Sequence, residues 1–140
     1  MSVSDDLKEV LALDQGILDT FGMRVLSAED GICELECTVP AQLVNAGGFA
    51  HGSIPFAVMD TACAYALRSA GVSGVTVHGD TNFVRGGRAG SVFVGRVEVA
   101  SLTRRVATLR GTVHLREGAT QVLAAHGSFV FQLRVPEPSG

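Results

Sequence analysis

Charge is scarce in this 140-residue chain: Asp, Glu, Lys and Arg make up 18% of it, against 46% hydrophobic residues, with a net charge of −3. No basic run is present, so neither nucleic acid nor an anionic membrane surface is an expected partner. Long apolar runs are missing as well, and none approaches the ~18 residues that a spanning helix needs. The opening "MSVSDDLKEV" is acidic and has no apolar signal core, so export is not expected either. Cysteine is limited to Cys33, Cys37 and Cys63, an odd set without metal-ligand spacing. If 32–39 is a strand, Cys33 and Cys37 share one face about 13 Å apart, too far to bridge. The expectation is buried free thiols in a reducing, cytoplasmic compartment, with no disulfide and no metal. There is no internal repeat and no Gly-x-Ser-x-Gly elbow, and neither Ser53 nor Cys63 has an evident base partner, so a serine or cysteine nucleophile is not expected.

What is present is apolar surface and β-forming sequence. A mean hydropathy of +0.31 is high for a soluble monomer of this size, so part of the surface is expected to be covered by another subunit. The length gives one domain, 1–140, opening with a helical segment (1–20) and closing on a linker-like, flexible tail, "RVPEPSG" (134–140). Asp5 to Leu18 is the first predicted helix. "FGMRVLSAEDGICELECTVP" reads as two short strands around a turn at Ala28 to Gly31. In the second, Ile32, Glu34 and Glu36 alternate with Cys33, Leu35 and Cys37, so the acids share one face.

Residues 52–70 are the one long helical candidate. Ile54, Ala57, Val58, Thr61, Ala62, Tyr65 and Ala66 recur at three- and four-residue steps, and Gly71 is placed to stop the helix. After Gly74 the stretches "VTVHGDTNFV", "SVFVGRVEVA", "RRVATLRGTVHL" and "QVLAAHGSFVFQL" are β-branched and aromatic-rich. The pieces between them, "RGGRAG", "SLT" and "REGAT", are short and turn-forming, which predicts an antiparallel meander of four strands. The predicted class is α+β: one long central helix wrapped by a curved antiparallel sheet of five or six strands.

The window "NAGGFAHGSIPFAVMDTACAYAL" holds the unusual chemistry. Asp60 is a single carboxylate among small and apolar neighbours, which marks a functional position more than a solvated one. Where a nucleophile attacks a carbonyl, negative charge builds on the oxygen and needs a donor aimed at it. Amides that open a helix lack intrahelical partners and sit at the positive end of its dipole, so they suit that oxyanion. Gly52 stands there, and having no Cβ it lets a substrate come close.

The order of two strands, a long helix and further strands is similar to the hotdog fold. Asn45, His51-Gly52, Asp60-Thr61-Ala62, Ala64, Tyr65 and Ala66 together resemble the signature of the phenylacetate-pathway (PaaI-like) acyl-CoA thioesterases. "TNFVRGGRAGS" and "LTRRVATLRGTV" are similar to that family's strand, turn and strand, so the resemblance spans roughly residues 40 to 132. Ser53 stands where the family usually has a second glycine, and Pro55 follows in what would be the first helical turn, where proline is tolerated.

The resemblance implies hydrolysis of an acyl- or aryl-coenzyme A to the free acid and coenzyme A, with no metal or organic cofactor. Asp60 is then the nucleophile or the base that activates water, and the Gly52 amide is the oxyanion donor. Asn45 would position the water or the carbonyl, and His51 would fix the loop before the helix. Ser53, Thr61 and Phe83 are candidate substrate contacts, and Arg85, Arg88, Arg104 and Arg105 are candidates for the coenzyme A phosphates. Gly52 and Asp60 lie eight residues apart in the sequence, about 12 Å along one helix, too far for one carbonyl to touch both. A site using both must combine two subunits of a homodimer or dimer of dimers. Two alternatives share the scaffold: a non-catalytic acyl-CoA binding or sensing protein, and an acyl-thioester dehydratase or hydratase, which needs a histidine and a carboxylate in contact.

Overall fold

The computed structural model describes residues 4–135. In chain order it contains α1 (Asp5–Leu13), α2 (Gln15–Phe21), β1 (Met23–Glu29), β2 (Ile32–Thr38), α3 (Ser53–Ser69), β3 (Gly74–Phe83), β4 (Val92–Leu102), β5 (Val106–Glu117) and β6 (Thr120–Leu133). The strands form one antiparallel sheet in the order β1-β2-β4-β5-β6-β3, and α3 lies in its concave face. This is the predicted α+β architecture with six strands. No helix among the described residues is long and apolar enough to cross a membrane. Most of the tail expected to be flexible, residues 136–140, lies outside the described residues.

Local chemistry sets the element ends. Ser4 caps α1 by accepting the Leu7 N–H at 3.3 Å, and Asp5 and Asp6 favour the positive end of its dipole. The single helix expected over Asp5 to Leu18 is in fact two. Asp14 leaves helical geometry (φ −89°, ψ 7°) and separates α1 from α2, which runs on to Phe21 and stops at Gly22 (φ 69°). Ile17 and Leu18 therefore lie on the second helix, where Leu18 is buried and Ile17 about half exposed. Between β1 and β2, Asp30 (φ 53°) and Gly31 (φ 80°) form a two-residue hairpin loop whose twist matches the strands.

The concave face explains the helix. Cys33, Leu35 and Cys37 of β2 point inward and are fully buried, while Glu34 and Glu36 point out. Nine of the α3 side chains are buried against the sheet, among them Ile54, Val58, Met59 and Leu67. Each such side chain contributes roughly 1.5–3 kcal/mol on burial. The helix comes this close because glycines face it: a Cβ on Gly95 would collide with Val58, and one on Gly111 would meet Met59 at 3.0 Å. α3 ends as expected, at Ala70 with Gly71 at φ 84°.

The four-stranded meander is corrected. Only β4, β5 and β6 run as consecutive neighbours; β3 pairs with β6, at the far edge. The connection from Phe83 to Val92 is the eight residues Val84–Ser91, longer than a hairpin loop, and it crosses the end of the sheet to place β4 beside β2. β3 is left as an edge strand with one open side, and Val75, Val77 and Phe83 on it are 59%, 57% and 60% exposed.

Candidate active site

The loop from Val44 to Gly52 is folded by its own polar groups. The Asn45 side-chain oxygen accepts the Gly47 N–H at 2.9 Å and the Phe49 N–H at 3.1 Å. That commits the oxygen to the loop and leaves the amide NH2 as the side chain's free polar group. His51 caps α3: its Nδ1 accepts the Ser53 N–H at 3.1 Å, and the Ser53 hydroxyl lies 2.8 Å from the same nitrogen. Both residues thus serve the loop that presents Gly52.

Gly52 needs no special backbone freedom. Its φ is −58°, and a Cβ there would meet only the Phe83 ring, at an ordinary 3.6 Å. Its N–H donates to no acceptor among the described residues. The chain's own packing therefore does not demand glycine, while the open amide leaves space for a ligand atom. Asn45, Gly52, Phe49, Phe83 and Arg85 line one cavity of about 340 Å³. Beside it the Arg88 guanidinium stacks on Phe49, 4.4 Å from the ring centre.

Asp60 opens elsewhere. Two turns further along α3, its Oδ1 accepts the Thr76 hydroxyl at 2.6 Å. It lines a second cavity of about 330 Å³ with Thr61, Thr76 and Phe131. Within one chain, then, Asn45, Gly52, Phe83 and Arg85 are brought together, Asp60 and Thr61 are brought together, and the two groups face different spaces.

The four candidate arginines do not form one patch. Arg85 and Arg88 flank the Gly52 cavity, whereas Arg104 and Arg105 sit in the β4–β5 turn. The carbonyl of Arg105 accepts the Leu133 N–H at 2.8 Å, and the neighbouring Val106 pairs with Gln132, which pairs with Val75. Arg104 and Arg105 therefore belong to the end of the sheet that carries the start of β3. Thr76 was not singled out from the sequence. Its hydroxyl reaches Asp60 because a bulge at Val77 shifts the strand's alternation, and bulges leave no spacing signal.

Burial disposes of the thiols. It pushes the Cys33 and Cys37 pKa values up to about 12 and raises that of Cys63 further, so none is a thiolate at neutral pH. All three are free. Among the described residues no cluster of His, Cys, Asp or Glu could hold a metal.

A family model described as the thioesterase superfamily matches residues 47–122. The acyl-coenzyme A thioesterase PaaI of Escherichia coli is 33% identical over 78 residues, a match spanning 56% of this chain and 56% of that protein. The solved structure of E. coli PaaI, from its phenylacetic acid degradation operon, superposes with a TM-score of 0.81 at 22% identity, over 89% of this chain and 88% of that one. A hypothetical thioesterase of Streptococcus pneumoniae solved with coenzyme A gives a TM-score of 0.81 at 18% identity, over 89% and 97%. Both structures share the sheet-wrapped helix described above. The chain belongs to the thioesterase superfamily, on the hotdog fold and with a PaaI-like signature around its central helix.

Proposed function

We propose that the protein hydrolyses an acyl- or aryl-coenzyme A thioester to the free acid and coenzyme A, in a site shared by two subunits. The observation that carries this reading is where the two half-sites meet β3. Asp60 is tied to Thr76 near the start of the strand, and Gly52 sits against Phe83 at its end. The outer edge of β3 pairs with no strand among the described residues and carries exposed Val75, Val77 and Phe83, which calls for a partner. If two copies pair antiparallel there, about a two-fold axis near Gly79 and Asp80, the Thr76 end of one strand lies beside the Phe83 end of the other. Gly52 of one subunit then faces Asp60 of the second.

In that composite site the thioester carbonyl oxygen points at the Gly52 N–H and the Asn45 amide NH2. Thr76 holds one oxygen of Asp60 and leaves Oδ2 free. Asp60 acts in one of two ways. As a base it takes a proton from water while the water oxygen bonds to the carbonyl carbon; as a nucleophile it forms an anhydride that water then opens. In either case charge builds on the oxygen facing Gly52, the C–S bond breaks, and the coenzyme A thiolate collects a proton. Arg85 and Arg88 lie on the Gly52 side, where they suit the phosphates of the leaving coenzyme A. The scheme calls on no metal or organic cofactor. That relatives include an acyl-coenzyme A thioesterase and a protein solved with coenzyme A supports the substrate class.

The dehydratase alternative needs His51 against a carboxylate; His51 Nδ1 is held by Ser53 at the helix start, and among the described residues no carboxylate pairs with this histidine. Release of free thiol from a panel of coenzyme A esters, ranked by kcat/KM, tests the proposal. Saturable binding without thiol release from any ester would instead identify an acyl-CoA sensor.

A further inference from the structure

The Asp60 cavity contains a second carboxylate that the reaction does not use. Asp14, at the break between α1 and α2, lines it together with Ile17, Ala64, Tyr65 and Phe131. Tyr65 is 1% exposed, and its hydroxyl donates to Asp14 Oδ2 at 2.8 Å. Burial first, and that bond second, raise the Tyr65 pKa well above the ordinary phenol, so the hydroxyl remains a donor. Oδ1 of Asp14 accepts nothing among the described residues and stays accessible on the half-buried side chain, so it is open to a donor that enters the cavity.

The two half-sites differ in charge. The Gly52 cavity has Arg85 on its wall and Arg88 beside it, which suits the phosphates of coenzyme A. The Asp60 cavity combines apolar Ile17, Ala64, Val75 and Phe131 with two carboxylates and, among the described residues, no cation on its wall, which repels phosphate and suits the acyl group. We infer that Asp14, held by Tyr65, reads the far end of the acyl group, accepting a hydrogen bond from a neutral donor such as a hydroxyl and rejecting a terminal carboxylate. The inference rests on the proposed thioester site but concerns which acyl group enters it. It also gives the N-terminal helices a role, since they bring Asp14 and Ile17 to a cavity otherwise built by α3 and the sheet.

The test uses three non-hydrolysable thioether analogues of coenzyme A with chains of equal length, ending in methyl, hydroxyl or carboxylate. Their affinities are measured by calorimetry. The wild-type protein should bind the hydroxyl analogue about tenfold or more tightly than the methyl one, as expected for a hydrogen bond to a charged group. The carboxylate analogue should bind at least about a hundredfold more weakly than the hydroxyl one. Asp14→Asn keeps an oxygen for Tyr65, so the helices stay docked, but it removes the charge. The carboxylate analogue should then gain at least about tenfold while the hydroxyl analogue loses affinity. An equal shift for all three would mean that Asp14 is only a strut, and that result overturns the inference, as does a wild type that does not rank the analogues or binds none of them. Ranked binding without thiol release from the matching esters would leave Asp14 its role and remove the hydrolysis.

Discussion

Thr76 gives its hydroxyl hydrogen to Asp60 at 2.6 Å, and with that one contact it ties the carboxylate of the central helix to the edge strand. Thr76→Val keeps the shape and removes the donor. Loss of a hydrogen bond to a charged group costs about 1.5–3 kcal/mol, so kcat should fall roughly tenfold or more, with KM much less affected. Unchanged kcat in the folded variant would mean that Asp60 needs no orientation from β3.

Asp60→Asn is the stronger test of the same carboxylate. It keeps the volume and removes the charge that either nucleophile or base requires, so turnover should drop by at least ~10²-fold with folding kept. Near-normal turnover would remove Asp60 from the chemistry and require another group to activate the water.

The arginines divide by position. Arg85 and Arg88 flank the cavity of the oxyanion donor, and Arg104 and Arg105 sit at the other end of β3. In the proposed site the phosphate role falls to Arg85 and Arg88, on the Gly52 side. Substituting a phosphate contact should raise KM for full coenzyme A esters, with a smaller effect on kcat, and leave short thioesters without the nucleotide unaffected. Equal effects on both substrate types would reject the assignment.

How far the sequence reaches is visible in these residues. The α3 span, its glycine stop, the inward thiols of β2 and the separation of Gly52 from Asp60 were legible, because each follows from local periodicity or helix rise. The seat of β3 was not. Its alternation is that of any strand, and pairing with β6 instead of β4 is decided by an eight-residue crossover whose glycines read as a turn. Thr76 and Asp14 were missed for the same reason: one reaches the site through a bulge, the other through a break between helices, and tertiary packing sets both. Asn45 was expected to position the water or the carbonyl and His51 to fix the loop before the helix; both hydrogen-bond within that loop, and the Asn45 NH2 is left without a partner among the described residues.

Away from the site, Glu36 sets a pH dependence. Arg24 and Arg116 both hydrogen-bond its carboxylate, Arg24 more strongly, and they hold its pKa below the ordinary glutamate value near 4.5. A lowered folded pKa adds stability that is fully present above the unfolded value and is lost as pH falls through the folded one. Glu36→Gln should therefore lower Tm at pH 7 and converge with wild type as the medium is acidified below about pH 4. The difference should be no more than a few degrees, because ion pairs with exposed arginines contribute at most about 1 kcal/mol. A gap that persists unchanged at pH 3 would show that packing, not charge, is what the substitution disturbs.

The shared site has a test of its own. Gly52→Pro deletes the amide proposed to hold the oxyanion; the backbone at φ −58° accepts proline, and no internal hydrogen bond is lost. Asp60→Asn deletes the other half. Each variant alone should be folded and nearly inactive. Refolded together in equal amounts, about half the dimers are mixed, and in each of these one site carries both defects and the other carries neither. Activity should return to about a quarter of wild type, since half the dimers have one intact site of two. If both groups act within one chain, every site in a mixed dimer keeps one defect and nothing returns. Flat activity after verified subunit exchange would therefore refute the pairing of β3 edges as the origin of the site, and would leave the separate cavities of Gly52 and Asp60 to be bridged by motion within a single subunit.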